Sequence, residues 1–332
     1  MKKPYIGITM GDPSGIGPEI VLKAIQTAEI YHFANPVVIG SAHMLAYQRD
    51  LLKIELAIKK IFSPVEGVYT PEVINIIDLN NVDLNLHQFG RVQAASGKAA
   101  YDYIVKAVAL AKDGQLNAIA TAPINKAAIH AAGIDFIGHT EMLAALTGTA
   151  EPLTMFQVQD LRVFFLSRHL SLKEAIKLVK RDRIITYLER CNRALRMLGL
   201  PGGTIAVAGL NPHCGEGGLL GTEEREEIEP AVKFLQAKRF KVAGPLPADS
   251  VFQQALQGRF AAVLSLYHDQ GHIATKMVDF DKTVSLTLGL PFLRTSPDHG
   301  TAFDLAGKGC AGAGSMIEAI KLAAWYSKNY RR

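Results

Sequence analysis

Apolar residues along this chain come in short runs separated by longer amphipathic stretches, and this alternation predicts an α/β protein built on a largely parallel sheet. Tyr5–Met10 reads as a first strand. The glycine- and proline-rich loop Gly11–Pro18 follows, then a helix from Glu19 to about Ala28 that Pro18 is well placed to open. Pro36–Gly40 is a second strand. Between Val92 and Lys112, Ala100, Ile104, Val108 and Ala111 recur at helical spacing, and Asp113-Gly114 ends the helix. Ala118–Ala122 is a further strand, with Pro123-Ile124-Asn125-Lys126 at its end. Ser171 with Glu174 forms a capping box, and Thr222 ahead of Glu223 and Glu224 starts a helix running to about Ala237.

Three of the apolar runs hand over to a histidine. Leu161–Leu166 leads to His169, Ile205–Leu210 to His213, and Ala261–Tyr267 directly to His268. Each run has the length and the branched or aromatic content of a buried parallel strand. In open α/β sheets ligands bind beyond the carboxyl ends of the strands, so three imidazoles are offered where such a fold does its chemistry. Three neutral imidazoles with open positions make a catalytic divalent-metal site; zinc suits them, and magnesium, manganese or cobalt are alternatives. No short metal motif accompanies them.

Bulk properties bound the function. A chain of 332 residues with 48% hydrophobic and 20% charged residues buries a sizeable core and is long for one domain. The net charge of +5 mildly favours an anionic ligand. The densest basic stretch, Lys173 to Arg196, has Ile176, Val179 and Leu188 interleaved and reads as a solvated helix face, so no nucleic-acid partner is expected. Cys191, Cys214 and Cys310 form no CxxC pair, which argues against a disulfide framework or a thiolate metal site. The N-terminal apolar run is cut short by Gly11-Asp12-Pro13, unlike a signal peptide, and no run has spanning length. A cytoplasmic protein with no membrane partner is expected.

The loop Gly11–Glu19 lacks both the GxGxxG spacing and a GK[ST] phosphate loop, so a tight turn is its default reading. A second glycine stretch, His299–Gly309, resembles the loop that wraps the adenosine of NAD in isocitrate and isopropylmalate dehydrogenases, which use no Rossmann fingerprint. On that resemblance His299, Gly300, Thr301, Ala302 and Asp304 are candidate cofactor contacts.

Motifs along nearly the whole chain then resemble one family in order. They are MGDPSGIGPE at Met10–Glu19, APINK at Ala122–Lys126, GHTE at Gly138–Glu141, GLNPHCGEGG at Gly209–Gly218, GPLPAD at Gly244–Asp249, YHDQG at Tyr267–Gly271, LGLPFLRTS at Leu288–Ser296 and DHGTA at Asp298–Ala302. The chain resembles the 4-hydroxythreonine-4-phosphate dehydrogenases of pyridoxine (vitamin B6) synthesis. The resemblance implies an isocitrate/isopropylmalate dehydrogenase-like fold, with two α/β/α domains around a largely parallel sheet and the active-site cleft between them. It also implies NAD or NADP, one divalent metal per site, and a homodimer with active sites built from both subunits. The expected division is 1–130 with 286–332, carrying the cofactor loop, and 131–285, carrying the metal ligands and the dimer interface. His169, His213 and His268 match the family's metal ligands. His139, Thr140, Lys276 and Arg294 match substrate contacts, a planar Arg and a flexible Lys suiting phosphate and carboxylate.

One position departs. The family pattern Val-Asn-Ile-Thr, whose Asn touches substrate, is here Val284-Ser285-Leu286-Thr287. Ser285 is shorter and has no amide, which puts the substrate's identity in question and leaves the reaction class intact. YHDQGHI at Tyr267–Ile273 and MGDP at Met10–Pro13 resemble the branch that oxidises D-threonate or D-erythronate 4-phosphate in sugar-acid catabolism. The expected reaction is therefore hydride transfer from C3 to the nicotinamide and loss of CO2 from the resulting β-keto acid, giving dihydroxyacetone phosphate. The alternative is 4-hydroxy-L-threonine 4-phosphate, giving 3-amino-2-oxopropyl phosphate. Asp249, Asp269 and Lys276 are candidates for the group that takes the hydroxyl proton, and Asp269 could instead orient a metal-bound His. Two rival readings are a metal-dependent sugar-phosphate lyase, which the His299–Gly309 loop opposes, and a non-enzymatic sensor of sugar phosphates.

Overall fold

The computed structural model describes residues 3–330. Among these, twelve strands alternate with helices: β1 (Tyr5–Thr9), β2 (Asn35–Gly40), β3 (Ala57–Lys60), β4 (Val73–Asp78), β5 (Ala118–Thr121), β6 (Leu153–Val158), β7 (Leu161–Phe165), β8 (Ile205–Ala208), β9 (Val242–Leu246), β10 (Ala262–Ser265), β11 (Val284–Leu288) and β12 (Leu293–Pro297). The chain forms two compact units, one holding the residues up to Pro152 and those from Val284 onward, the other Leu153–Thr283. The sequence reading put the first boundary at 130. The structure keeps 131–152 with the first unit, where the helix His139–Thr147 packs on the long helix Ala94–Lys112.

In the first unit the strand order is β3-β4-β2-β1-β5-β12-β11. All neighbours there pair in parallel except β12 with β11, which form an antiparallel hairpin with Ser285 opposite Ser296 and Thr287 opposite Arg294. After their first residues β1 and β2 are buried at every position, as is β5 throughout, Ile6, Ile8, Val37, Val38, Ile39 and Ile119 among them. A strand buried at consecutive positions is covered on both faces, which accounts for runs that do not alternate in polarity. Ala94–Lys112 packs on β1 and β2, and Gly314–Ser327 packs on β5 and β12. Gly114, at φ +74°, ends the former helix as its sequence predicts.

The second unit has the order β6-β7-β10-β8-β9, parallel except for the β6–β7 hairpin. Its core joins Phe156, Leu161, Val163 and Phe165 to Ala206, Val251, Phe252 and Val263. The Ser171 cap of the expected capping box is present, with the Glu174 N–H donating to Ser171 Oγ at 3.3 Å, while the Glu174 carboxylate pairs with Lys177 at 2.7 Å. The helix expected from Thr222 begins differently. A π-helical turn spans Glu224–Ile228, and regular α-helix starts only at Glu229. Pro230, without an N–H, cannot pass the α ladder back across that junction. β8 is also shorter than its apolar run, because the N–H groups of Leu210 and Asn211 donate to the Glu224 carboxylate and not to a strand.

Asp12, in the loop after β1, is wholly buried. One carboxylate oxygen accepts from the Ser14 N–H at 2.8 Å, and its own N–H donates to the Pro123 carbonyl at 3.0 Å. Burial pushes its pKa from 3.8 up to about 6, against the pull of the backbone hydrogen bonds. An acid whose pKa rises on folding binds its proton more tightly when native, so its contribution to stability falls as pH climbs from about 4 to 6. Asn cannot ionise, so the stability of Asp12→Asn relative to the wild type should improve by about 2 kcal/mol between pH 4 and pH 7. Urea titrations at the two pH values measure this; a difference independent of pH would contradict it.

Candidate active site

In the first unit, a cleft of about 390 Å³ is lined by Thr121, Lys126, His139, Arg294, Ser296 and His299, with Gly138 and Gly300 on its wall. Arg294 sits inside β12 and is 5% exposed. Thr121 Oγ1 accepts from its Nε and Nη2, at 3.0 and 2.7 Å, and Thr287 Oγ1 from its Nη1 at 3.2 Å. Among the described residues no carboxylate pairs with it at contact distance; Glu141 acts on it only from farther off. Burial therefore pulls the guanidinium's pKa down to about 9. His139 opens the helix His139–Thr147, and its Nε2 is buried without a hydrogen-bond partner. Its pKa is held well below the usual value, by burial first and by Arg294 second. A buried cation, an imidazole edge and a helix N-terminus share one cavity, an arrangement that receives an anion.

Of the expected substrate contacts, the structure gathers His139 and Arg294 here. Thr140 is the next residue of the same helix, and Ser285 faces Ser296 across the hairpin. Lys276 lies in the second unit, its ammonium 4.8 Å from the centre of the Phe280 ring. Ser296 and Lys126 were not expected. Ser296 is 6% exposed and makes no side-chain hydrogen bond among the described residues. Lys126 sits at the end of the APINK motif, and that position after a strand was its only signal.

The expected cofactor residues follow β12. His299 and Gly300 line the cleft, while Thr301 is buried and accepts from the Ile16 N–H at 3.0 Å. Gly15 permits this approach, since a Cβ there would stand 2.8 Å from the Thr301 Cβ. Ala302 has φ +40°, and Asp304 is exposed at the turn. The loop is thus docked on the Gly11–Pro18 loop, with an exposed carboxylate at Asp304.

In the second unit β7, β10 and β8 are neighbours and run the same way, so their carboxyl ends lie along one edge. His169, His268 and His213 follow these ends. The rings of His169 and His268 are 6.0 Å apart and border one cleft of about 340 Å³. His268 Nδ1 pairs with Asp269 Oδ1 at 2.6 Å. With that nitrogen donating to the carboxylate, the lone pair falls on Nε2, the form in which a His ligates a metal. His213 is exposed, and no group of three or more His, Cys, Asp or Glu converges at metal-binding distance among the described residues. The structure therefore brings two of the three imidazoles together and aligns the third strand end beside them. The two imidazoles that meet, one of them held by a carboxylate, are donors of the kind a divalent ion takes, and His213 is not brought within coordinating distance of them.

His272 was missed, although its spacing of four from His268 on one helix was legible. It stacks on His268 at 3.8 Å and packs against Phe156 and Phe165; burial and the neighbouring cations bring its pKa down to about 3. Of the proton-acceptor candidates, Asp269 is engaged with His268. Asp249 shares with it a largely apolar cavity of about 530 Å³.

Comparison with known proteins identifies the family. Residues 32–323 match the family model described as pyridoxal phosphate biosynthetic protein PdxA. The chain belongs to the PdxA family. A relative from Symbiobacterium thermophilum is 54% identical over 330 residues, 99% of this chain and 98% of its own, and bears the provisional name D-threonate 4-phosphate dehydrogenase. One from Clostridium botulinum strain Langeland, with the same name, is 52% identical over 99% of both chains. The crystal structure of a 4-hydroxythreonine-4-phosphate dehydrogenase from Klebsiella pneumoniae is 42% identical, covering 98% of this chain and all of that one, with a TM-score of 0.89. A terephthalate 1,2-cis-dihydrodiol dehydrogenase from Burkholderia xenovorans is more distant, at 26% identity over 97% of this chain and 98% of its own, with a TM-score of 0.65. The PdxA-family chain is accordingly a dehydrogenase of the CH–OH class and shares their fold.

The turn that carries His213 is left-handed throughout. His213, Cys214, Gly215, Glu216 and Gly217 all have positive φ, from +43° to +79°. Left-handed conformation costs a non-glycine residue roughly 1–2 kcal/mol, partly offset on glycine substitution by the entropy glycine loses on folding. Glu216→Gly should stabilise the PdxA-family chain by about 0.5–1 kcal/mol, read from the urea midpoint, whereas a destabilised variant would mean that the turn is not strained there.

Proposed function

We propose that the chain oxidises D-threonate 4-phosphate or D-erythronate 4-phosphate at C3, with NAD or NADP as hydride acceptor and a divalent metal, and that the product loses CO2 to give dihydroxyacetone phosphate. The observation that carries the reading is the Arg294 guanidinium, buried beside His139 with hydroxyl partners and no carboxylate in contact among the described residues, Glu141 acting on it only from farther off. A doubly anionic substrate supplies that charge. The provisional names of the relatives at 52–54% identity support the substrate class, and the Ser285 substitution supports the hydroxy acid over the amino acid. The second reading, 4-hydroxythreonine 4-phosphate, is favoured by the name of the Klebsiella structure.

Arg294, His139 and Thr140 would hold the anionic ends of the substrate, with Lys276 as a further cation and Ser285 beside the pocket floor. His299–Ala302 and Asp304 would hold the nicotinamide cofactor, which supplies the redox step. His169, His213 and His268 would hold the metal, whose charge favours the ionised C3 oxygen. Asp269 keeps His268 in its ligating tautomer. Asp249 and Lys276 remain candidates for taking the hydroxyl proton. A homodimer is part of this reading, supported by the exposed apolar side chains Ile273 and Met277 on the helix His268–Val278, Phe280 just past its end, and Leu219. No helix among the described residues is long and apolar enough to cross a membrane.

The test is a panel of 4-phosphorylated C4 acids assayed for NAD(P)H and CO2 with added zinc, magnesium, manganese or cobalt. The threonate or erythronate phosphate should be turned over fastest; a clear preference for 4-hydroxythreonine phosphate would favour the second reading. Arg294→Ala should raise KM at least 30-fold, since truncating one member of a buried charge pair costs about 2–5 kcal/mol. An unchanged KM would remove Arg294 from the substrate site.

A further inference from the structure

We infer that Glu224 is a positioning residue: its buried carboxylate clamps the left-handed turn in which His213 stands and so sets where that imidazole is presented. The inference rests on the proposed role of His213 as a metal ligand and concerns a residue that this role does not itself require.

Glu224 is 2% exposed. One carboxylate oxygen accepts from the N–H groups of Leu210 and Asn211, at 2.8 and 2.6 Å, and the other accepts from Asn211 Nδ2 at 2.8 Å. No cationic side chain pairs with it among the described residues, so N–H donors alone hold its charge. Those donors belong to the two residues immediately before Pro212-His213, just past the end of β8. The carboxylate thus takes over from the strand ladder where the chain leaves the sheet.

The turn needs such an anchor. Five successive left-handed residues, three of them not glycine, do not persist unless the surroundings over-determine them. Within the turn the Cys214 N–H donates to the Asn211 carbonyl at 3.1 Å, and the Leu220 N–H to the Gly215 carbonyl at 3.1 Å. Gly215 is required where it stands, because a Cβ would lie 2.7 Å from the Gly221 carbonyl oxygen and 3.0 Å from the second Glu224 oxygen. The entry to the turn is therefore bonded to this carboxylate, and the central glycine of the turn packs against it. Glu224 also opens the π-helical turn Glu224–Ile228. Such wide turns recur at functional sites, where they shift the register of a side chain. Glu223 reinforces the clamp by accepting from Asn211 Nδ2 at 2.7 Å.

The test uses the full chain stripped of metal. Zinc affinity is measured by competition with a chromophoric chelator, the unfolding temperature by calorimetry, and amide hydrogen exchange across 210–221. Glu224→Gln keeps the side-chain shape but turns an acceptor into a donor facing Asn211; Asn211→Ala removes the side-chain arm and keeps the backbone bond. Glu224→Gln should weaken zinc binding by about 10–100-fold, and Asn211→Ala by less. Exchange across the turn should rise in both, with the unfolding temperature of the metal-free protein little changed. Wild-type zinc affinity and wild-type exchange in Glu224→Gln would overturn the inference, as would losses that merely track a lower unfolding temperature. If the wild-type chain itself takes up no metal, the reading of His213 as a ligand fails. The exchange measurement then decides the clamp alone, and unchanged protection in Glu224→Gln sinks it.

Discussion

Parallel pairing is the constraint on which everything else hangs. When neighbouring strands run the same way, their carboxyl ends share an edge, and whatever follows those ends is gathered without any long-range design. In the second unit this sets the residues after β7, β10 and β8 side by side. In the first it sets the loop with Asp12, the Pro123–Lys126 segment and the Asp298–Gly300 turn along the ends of β1, β5 and β12. The two antiparallel hairpins are the exceptions. The β11–β12 hairpin matters most, because its cross-strand pairs place Thr287 beside Arg294 and Ser285 beside Ser296 on one face.

Two buried charges of opposite sign show how the PdxA-family chain separates reception from support. Arg294 is held by threonine hydroxyls, which orient a guanidinium but do not neutralise it. Its charge stays available, and an anion gains by entering. Glu224 is held by two backbone N–H groups and an amide, donors that favour the ionised carboxylate and have no other acceptor at the end of β8. It has no need of a ligand. The first arrangement suits a residue that must receive something, and the second suits one that must hold a loop still.

Much of the fold was legible, because continuous apolar runs and helix-end signals are local. The ends of Ala94–Lys112, the Ser171 cap and the strands before the three histidines all follow from neighbours within a few residues. What escaped was set by partners distant in sequence. β8 stops at Ala208 because a carboxylate 14 residues further on captures the N–H of Leu210. The left-handed turn 213–217 contains only two glycines, so nothing local announced it. The unit boundary beyond 130 reflects packing on another helix. At the sites, the cation–imidazole cleft was legible only through motif resemblance, since Arg294 and His139 are far apart in the chain. His272 was legible by spacing, whereas Ser296 depended on strand register that no local pattern reveals.

That register also separates substrate class from substrate identity in the proposed reading. In the β11–β12 hairpin, Thr287 and Arg294 form one cross-strand pair and Ser285 and Ser296 the next but one, so all four side chains lie on the same face. The Thr287–Arg294 pair fixes a cation and therefore the demand for an anion. The Ser285–Ser296 pair, one step along the same floor, carries no charge and two small hydroxyls. Exchanging an Asn for Ser285 removes an amide from that floor without disturbing Arg294, Thr287 or Thr121, which keep their own hydrogen bonds. In that reading, a change at position 285 would alter what is accepted beside the anionic group while preserving the anchor. Such a change needs no rebuilding of the core, because a strand alters one face position at a time.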